Sequence, residues 1–381
     1  MRVLIGVTGS IAIYKSCELV RLFKRRGHEV RVVMSEEATR FISPLTFEGL
    51  TGTPVLHRGS ESWSSGVDHI SYSRWAQLYI ISPATVTTLN RARAGIGDTL
   101  PLQVYLATQA PTLFAPAANT HMILHPTAQQ SLEELEVVAP TSGELACGEI
   151  GIGKMADPEE IYWAGLRLVR RRKFWEGKRV TITGGGSREP IDDVRFIGNY
   201  SSGKMGEALA LAYYTAGAEV TLISSQPHPT LPRGIRLIPV ERGEEYRREI
   251  LESRPDYLVM AAAIVDFKPE YTPGKLKKEE IGEELVLKLK RNIDVLTSLK
   301  GTPFKKIGFK AEMDLKRGKK AAIKALKEKG LDGICLNYLS QYNFGSDRNR
   351  VTFITPNWEV EIPEGTKLQV AEQIVELSEL L

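Results

Sequence analysis

The chain opens on a strand-forming run, "RVLIGV", that passes through "TGS" into a helix-spaced segment, and at residue 179 it does so again with "RVTITGGGS". A continuous apolar run is what a parallel strand buried on both faces requires. The first unit continues through "IAIYKSCELVRLFKRRG", stopped by Gly27, into a second strand, "HEVRVVMS". The later unit runs the same way through "SSGKMGEALALAYYTAGAEVTLIS". The recurrence is one of architecture rather than of sequence, and it predicts two doubly wound α/β domains. Charged, aperiodic "RRRKFWEGK" near Arg170 marks the joint, giving domains 1–172 and 173–381.

Two domains suit a length of 381 residues, and 42% hydrophobic with 25% charged residues gives each an ordinary core. A net charge of +4 permits anionic small molecules but supplies no basic arm, so nucleic acid is not an expected partner. The lysine-rich "KRGKKAAIKALKEKG" reads as the solvated face of a helix. Cys17, Cys147 and Cys335 lie far apart with no CxxC, against a disulfide framework or structural zinc and in favour of a reducing cytoplasm. No leader or long apolar span is read, so secretion and membrane insertion are not expected.

Further strand-like runs are "QLYIIS", "APTLFAPA" and "LEVVAP" in the first half, and "DYLVMAAAIVDF", "ELVLKLKRN", "KKIGFKAEM", "LDGICLN" and "RVTFIT" in the second. Ligands of open α/β sheets collect at the carboxyl ends of strands, which is where Asp266, Asn292, Phe309 and Asn337 are placed. The segment "KPEYTPGKLKKEEIGEE", 268–284, is aperiodic and reads as a mobile loop.

Several turns carry candidate chemistry. In "GVTGSIA", Gly9 permits close backbone approach and Ser10 a helix cap; with Ser35 of "MSEE" they suit a mononucleotide phosphate such as that of FMN. Glu36 is a possible ribose partner, and a plain helix cap is the alternative. "VDHISYSRWA" places His69 before a strand, as an acid/base or a structural residue. The small-residue loops "SPATVTT" (Pro83, Ala84, Thr85) and "APAANTHM" (Ala118) leave room for a flat ring or simply form turns. Asn119 could hold a substrate carboxylate through two amide hydrogen bonds.

"LACGEIGIGKM" and "GNYSSGKM" both approach the P-loop pattern, but Met155 and Met205 stand where Ser or Thr must bind Mg²⁺. The first is better read as a glycine-flanked flap carrying Cys147. "GGGSREPIDDVRFIGNYSSGKMG" offers an anion nest at Gly184, Gly185 and Gly186, capping groups at Ser201 and Ser202, and the charges of Arg188 and Arg195. Metal ligands are not readable from the residues.

Together these segments resemble the bifunctional phosphopantothenoylcysteine decarboxylase/phosphopantothenate–cysteine ligase family of coenzyme A biosynthesis. The N-terminal part is similar to flavin-dependent cysteine decarboxylases through "GVTGSIAIYK", "DHISYSRWA", "PATVTT", "PAANTHM" and "LACGEIGIGKM". The C-terminal part is similar to the ligase through "TGGGSREPIDDVRFIGNYSSGKMG", "AAAIVDFKP", "KLKK", "IGFKAEM" and "FGSDRNRV". The resemblance implies a flavodoxin-like flavoprotein domain and a ligase domain with a mostly parallel central sheet, both Rossmann-like. It implies FMN, which takes a hydride from the cysteinyl Cβ so that a thiocarbonyl can stabilise the carbanion left by CO₂ loss.

On this resemblance His69 serves as acid/base, Asn119 binds the substrate carboxylate, and Cys147 donates the final proton. In the ligase, CTP and Mg²⁺ activate 4′-phosphopantothenate as an acyl-nucleotide that cysteine attacks. Asn199 holds the intermediate, Lys275 reaches in from its loop with Lys277 beside it, and Asp266, Phe309 and Lys329 contact the nucleotide. A homo-oligomer, a dodecamer, is implied as well.

Departures from the family pattern are Ala118 for Met, Thr87 and Thr99 for Asn, Ile123 for an aromatic, and Ala325 where Lys is common, with Lys324 adjacent. Two rival readings are a nicotinamide-dependent reductase, for which the Tyr-x-x-x-Lys pair is lacking, and a non-catalytic flavin-binding scaffold.

Overall fold

The computed structural model describes residues 1–62, 67–277, 283–312, 315–338 and 345–381. The chain divides into two compact units, Met1–Arg170 and Arg171–Leu381.

In the first unit four parallel strands lie in the order Glu29–Met34, Arg2–Val7, Leu78–Ala84, Thr112–Pro116. This is a flavodoxin-like order, and its switch point lies between Arg2–Val7 and Leu78–Ala84. Both strands are largely apolar, Arg2–Val7 buried after Arg2 and Leu78–Ala84 buried along its whole length, as a sheet covered on both faces demands. Single bridges at Val33–Leu56 and Phe114–Val137 extend each edge, so "LEVVAP" pairs at one position rather than as a full strand. "VDHISYSRWA" forms a helix, Asp68–Trp75, ahead of the Leu78–Ala84 strand. The remaining element is an antiparallel hairpin, Thr141–Glu144 with Ile150–Lys154, which carries the Cys147 stretch at its tip.

The second unit is built on an eight-stranded sheet. Its first six strands are parallel, in the order Ile235–Pro239, Glu219–Ser224, Arg179–Gly184, Tyr257–Met260, Lys305–Glu312, Gly333–Tyr338. Numbered along the chain this is 3-2-1-4-5-6, the dinucleotide-fold order, with antiparallel Arg348–Ile354 and Glu359–Thr366 added at one edge.

"ELVLKLKRN" does not enter this sheet. Only Leu289–Arg291 is a strand, and it pairs antiparallel with Phe267–Pro269. Within "RRRKFWEGK", Trp175 is fully buried edge-on against Tyr213 and Tyr257 at 4.9 Å from each. The lysine-rich helix Leu315–Lys329 does show a wet face, with Lys319 and Lys320 exposed and Ala322 and Leu326 buried. Among the described residues no helix is long and apolar enough to cross a membrane.

Candidate active sites

At the switch point of the first unit the two strand ends are tied together. Thr8 Oγ1 donates to the Pro83 carbonyl at 2.7 Å, and Ser16 Oγ to that of Ser82 at 2.6 Å. A Cβ on Gly9 would stand 2.6 Å from Glu37 Cβ, so this glycine lets a neighbouring helix pack close. Ser35 is buried and caps that helix, Glu36–Thr39, by accepting from Ala38 N–H. The capping reading of Ser10 needs correction. Its hydroxyl accepts from Ala12 N–H at 3.3 Å within the turn, while helix Ile13–Arg25 starts later with no side-chain cap. Across the switch point, Pro83 and Ala84 are buried, and Thr85 caps Val86–Arg93 through Thr88 N–H.

The hairpin seats on the loop after Thr112–Pro116. Ala118 N–H donates to the Gly153 carbonyl at 3.0 Å, and Thr120 Oγ1 to that of Ile152 at 2.9 Å. Glycine is required for this docking, since a Cβ at Gly153 would lie 2.1 Å from the Ala118 oxygen and one at Gly151 2.1 Å from Thr120 Oγ1. The hairpin base is fixed by Lys15, whose buried amine donates to the Met155 carbonyl and to Asp157, each at 2.9 Å.

This docking brings Asn119 to the hairpin tip. Asn119 caps a short helix through Oδ1, which accepts from His121 N–H at 2.9 Å. Its Nδ2 donates to Glu149 Oε2 at 3.0 Å and lies 3.5 Å from Cys147 Sγ. The thiol in turn lies 3.5 Å from the same Glu149 oxygen. Glu149 and Lys15 carry no signal of their own by residue type, although both lie inside segments that carry the family resemblance. His69 is not part of this cluster. It occupies the first turn of Asp68–Trp75, half-buried, with Nδ1 3.9 Å from Glu61 Oε1.

In the second unit a cleft of about 1130 Å³ lies at the switch point beyond Arg179–Gly184 and Tyr257–Met260. Asn199, Ser201, Ser202, Asp266, Asn292, Phe309, Lys329 and Asn337 all line it. Among the described lining residues six are basic (Lys204, Arg291, Lys310, Lys329, Arg348, Lys367) and two are acidic, Asp266 and Asp294. Such a balance favours a polyanion.

Some of these groups already have work within the fold. Lys329 pairs with Asp294 at 2.9 Å. Burial would raise the Asp294 pKa, but the Lys329 and Thr297 hydrogen bonds outweigh it and hold the carboxyl below its ordinary value. Burial, with Lys204 nearby, pushes the Lys367 amine below the usual lysine range.

Three sequence expectations change here. Gly184, Gly185 and Gly186 do not line the cleft, and each meets the protein's own backbone or side chains. Gly184 faces Gly206 Cα, and a Cβ at Gly185 or Gly186 would strike Ser225 Oγ at 2.3 Å or the Asn199 oxygen at 2.6 Å. Close packing accounts for these three glycines within the fold. The helix cap beyond Ser201 and Ser202 is Gly203, without a side-chain bond. Asn292 lines the cleft but is buried, with its amide nitrogen donating to Glu189 and to the Val265 carbonyl, both at 3.0 Å.

Lys275 and Lys277 are exposed and do not line the cleft. The described flank of their loop is pinned rather than loose: Leu276 N–H donates to Asp192 at 3.1 Å, and Gly274 N–H to Asp193 at 3.1 Å. The Arg195 guanidinium beside Asp192 holds that carboxyl well below the usual carboxylate range. Residues 278–282 of the segment read as mobile lie outside the described residues. Among the described residues no cluster of three His, Cys, Asp or Glu could hold a metal.

Residues 1–167 match the model of the Flavoprotein family, and residues 175–379 that of the DNA/pantothenate metabolism flavoprotein C-terminal domain. The coenzyme A biosynthesis bifunctional protein CoaBC of Vibrio cholerae is 35% identical, over 99% of this chain and 97% of its own length. The chain belongs to the CoaBC family of bifunctional coenzyme A biosynthesis proteins. The CoaBC proteins of Haemophilus influenzae and Bacillus subtilis are 35% and 37% identical, each over 98% of this chain and at least 95% of their own. As a CoaBC-family enzyme it has phosphopantothenoylcysteine decarboxylase and phosphopantothenate–cysteine ligase activities. The reductase and non-catalytic scaffold readings are thereby set aside.

Proposed function

We propose that the second unit joins 4′-phosphopantothenate to cysteine at the expense of CTP, and that the first unit decarboxylates the product to 4′-phosphopantetheine with FMN. The observation that carries the reading is the meeting of Asn119 and Cys147, at 3.5 Å, on two segments far apart in sequence.

The first unit has the right donors for a flavin. Ser10 and Ser35, with the turn beyond Gly9, would face the phosphate, and the small side chains Pro83, Ala84 and Ala118, with Thr85, would leave the ring a flat wall. FMN, when bound, supplies reversible hydride acceptance. Asn119 Nδ2 holds the cysteinyl carboxylate that is to leave as CO₂, while Oδ1 stays committed to the His121 N–H and fixes the amide's orientation. Cys147 delivers a proton from the hairpin tip, where its thiol is exposed and open to an arriving substrate. His69 acts as an acid/base from its own helix. Sites completed between copies in a homo-oligomer would bring it in, and the exposed Ile11, Tyr14, Phe41 and Leu45 are apolar surface suited to such contacts.

In the ligase the carboxylate of phosphopantothenate attacks the α-phosphorus of CTP and pyrophosphate leaves. The cysteine amine then attacks the acyl carbon, and CMP and a proton depart. The basic cleft binds the triphosphate, Phe309 offers a face to the base, and Asn199 holds the acyl group. Asp266, which lines the cleft, would contact the nucleotide, and Mg²⁺ would arrive on the triphosphate as a metal that keeps most of its waters and needs few protein carboxylates. Lys275 reaches the acyl-nucleotide once the Gly274 and Leu276 hydrogen bonds to Asp193 and Asp192 are released. A cytoplasmic site of action fits these soluble substrates.

The test is twofold. Titration with FMN should develop bound-flavin absorption, and pyrophosphate release should require phosphopantothenate and proceed faster with CTP than with ATP. A chain that takes up no flavin, or that releases pyrophosphate only from ATP, contradicts the corresponding half.

A further inference from the structure

Asn119 has one donor nitrogen, and its closest acceptor is Glu149 Oε2 at 3.0 Å. Cys147 Sγ crowds the same side at 3.5 Å, while Oδ1 is engaged by the His121 N–H. The Glu149 carboxylate therefore sits on the donor that the substrate carboxylate must use. It is held there by the hairpin tip, where Leu145 N–H donates to the Glu149 carbonyl at 2.8 Å and Gly148 N–H to the Leu145 carbonyl at 2.9 Å.

We propose that Glu149 is an internal stand-in for the substrate carboxylate, latching the hairpin to Asn119 until substrate displaces it. This rests on Asn119 as the carboxylate-binding residue of the decarboxylase. Two carboxylates cannot share one amide donor without like-charge repulsion, so arriving substrate drives Glu149 off Asn119. Loss of CO₂ removes the competitor, and Glu149 returns to its place. The latch therefore distinguishes substrate from product by the one group the reaction removes.

An occupied donor lowers apparent substrate affinity by the fraction of time it is free. In the full-length FMN-loaded enzyme, Glu149→Ala should lower the KM for phosphopantothenoylcysteine about tenfold, the weight of one charge-assisted hydrogen bond. Glu149→Gln, which keeps the shape and an acceptor without the charge, should lower it by a smaller factor of about three. The inhibition constant of phosphopantetheine, which has no carboxylate, should be unchanged in both. A KM that stays the same or rises in both variants overturns the proposal, as does an equal change in substrate and product affinity. Asn119→Ala separates the two readings. If it leaves KM unchanged, the assignment of Asn119 falls and the latch with it. If it raises KM while neither Glu149 variant lowers it, Asn119 stands and the latch alone is wrong.

Discussion

The side-chain nitrogen of Asn119 and the sulfur of Cys147 lie 3.5 Å apart although 28 positions separate them in the chain. If these groups bind the leaving carboxylate and deliver the proton, their loss should have different signatures. Asn119→Ala should raise the substrate KM and lower kcat. Cys147→Ser should lower kcat by about a hundredfold, the usual weight of a positioned general acid, and leave an oxidised, decarboxylated intermediate to accumulate. Rapid-quench product analysis checks both. Loss of product without that intermediate would remove Cys147 from the protonation step.

The hairpin can dock only while Gly153 lacks a side chain. At φ +134° a Cβ there would lie 2.1 Å from the Ala118 backbone oxygen, which cannot swing aside like a flexible side chain. Gly153→Ala should cut decarboxylation at least about tenfold through misplacement of the reacting groups. Pyrophosphate release should be unaltered, since the ligase cleft lies in the other unit. Coupled assays of the two activities on one preparation make the comparison.

His28 gives the first unit an acid sensitivity of defined sign. Burial chiefly, then the Met1 amino group, Arg170 and Arg26, push its imidazole down from 6.5 to about 4. Above pH 6.5 the ring is neutral in folded and unfolded chains alike. As pH falls from 6.5 towards 4 the unfolded chain takes up a proton that the folded one refuses, so stability drops, and below 4 the loss is complete. Discounted for solvent screening of a half-exposed ring, the loss is about 2 kcal/mol. His28→Phe, which suits the contacts with Phe23 and Tyr162, should flatten this part of the first unit's Tm–pH curve.

Asn292 should behave as a structural residue despite its place in the cleft wall. Replacing it with Ala strands the Val265 carbonyl, served at 3.0 Å by the Asn292 amide, and leaves Glu189 Oε1 with the Gly243 N–H at 2.9 Å in place of two donors. The second unit should lose about 2 kcal/mol, the range for unpaired buried polar groups. Calorimetry should show that loss with CTP preference over ATP retained. A change in nucleotide choice without a loss of stability would return Asn292 to the nucleotide contacts.

Much of the architecture is legible in the sequence because runs buried on both faces, apolar at Arg2–Val7 and Val/Ile alternating with Thr at Arg179–Gly184, leave few other ways to fold. Strand partners are less legible. "ELVLKLKRN" alternates like a strand, yet its pairing depends on a distant segment, Phe267–Pro269. Glycines are ambiguous in a related way: Gly9, Gly185 and Gly186 each lie where a Cβ would meet the protein's own atoms, and sequence does not show which neighbour makes the approach close. Asn119 and Cys147 stand out by residue type and motif. Glu149 does not, because an acidic residue on a turn ordinarily faces solvent, and only the docked hairpin brings it to Asn119.

The central claim, two consecutive reactions by one chain, is tested most directly by supplying the FMN-loaded protein with 4′-phosphopantothenate, cysteine, CTP and Mg²⁺ and following pyrophosphate, CO₂ and thiol products together. The account predicts pyrophosphate and CO₂ in equal amounts at completion, with phosphopantothenoylcysteine rising and falling ahead of phosphopantetheine. Pyrophosphate release with phosphopantothenoylcysteine as the end product and no CO₂ would contradict it.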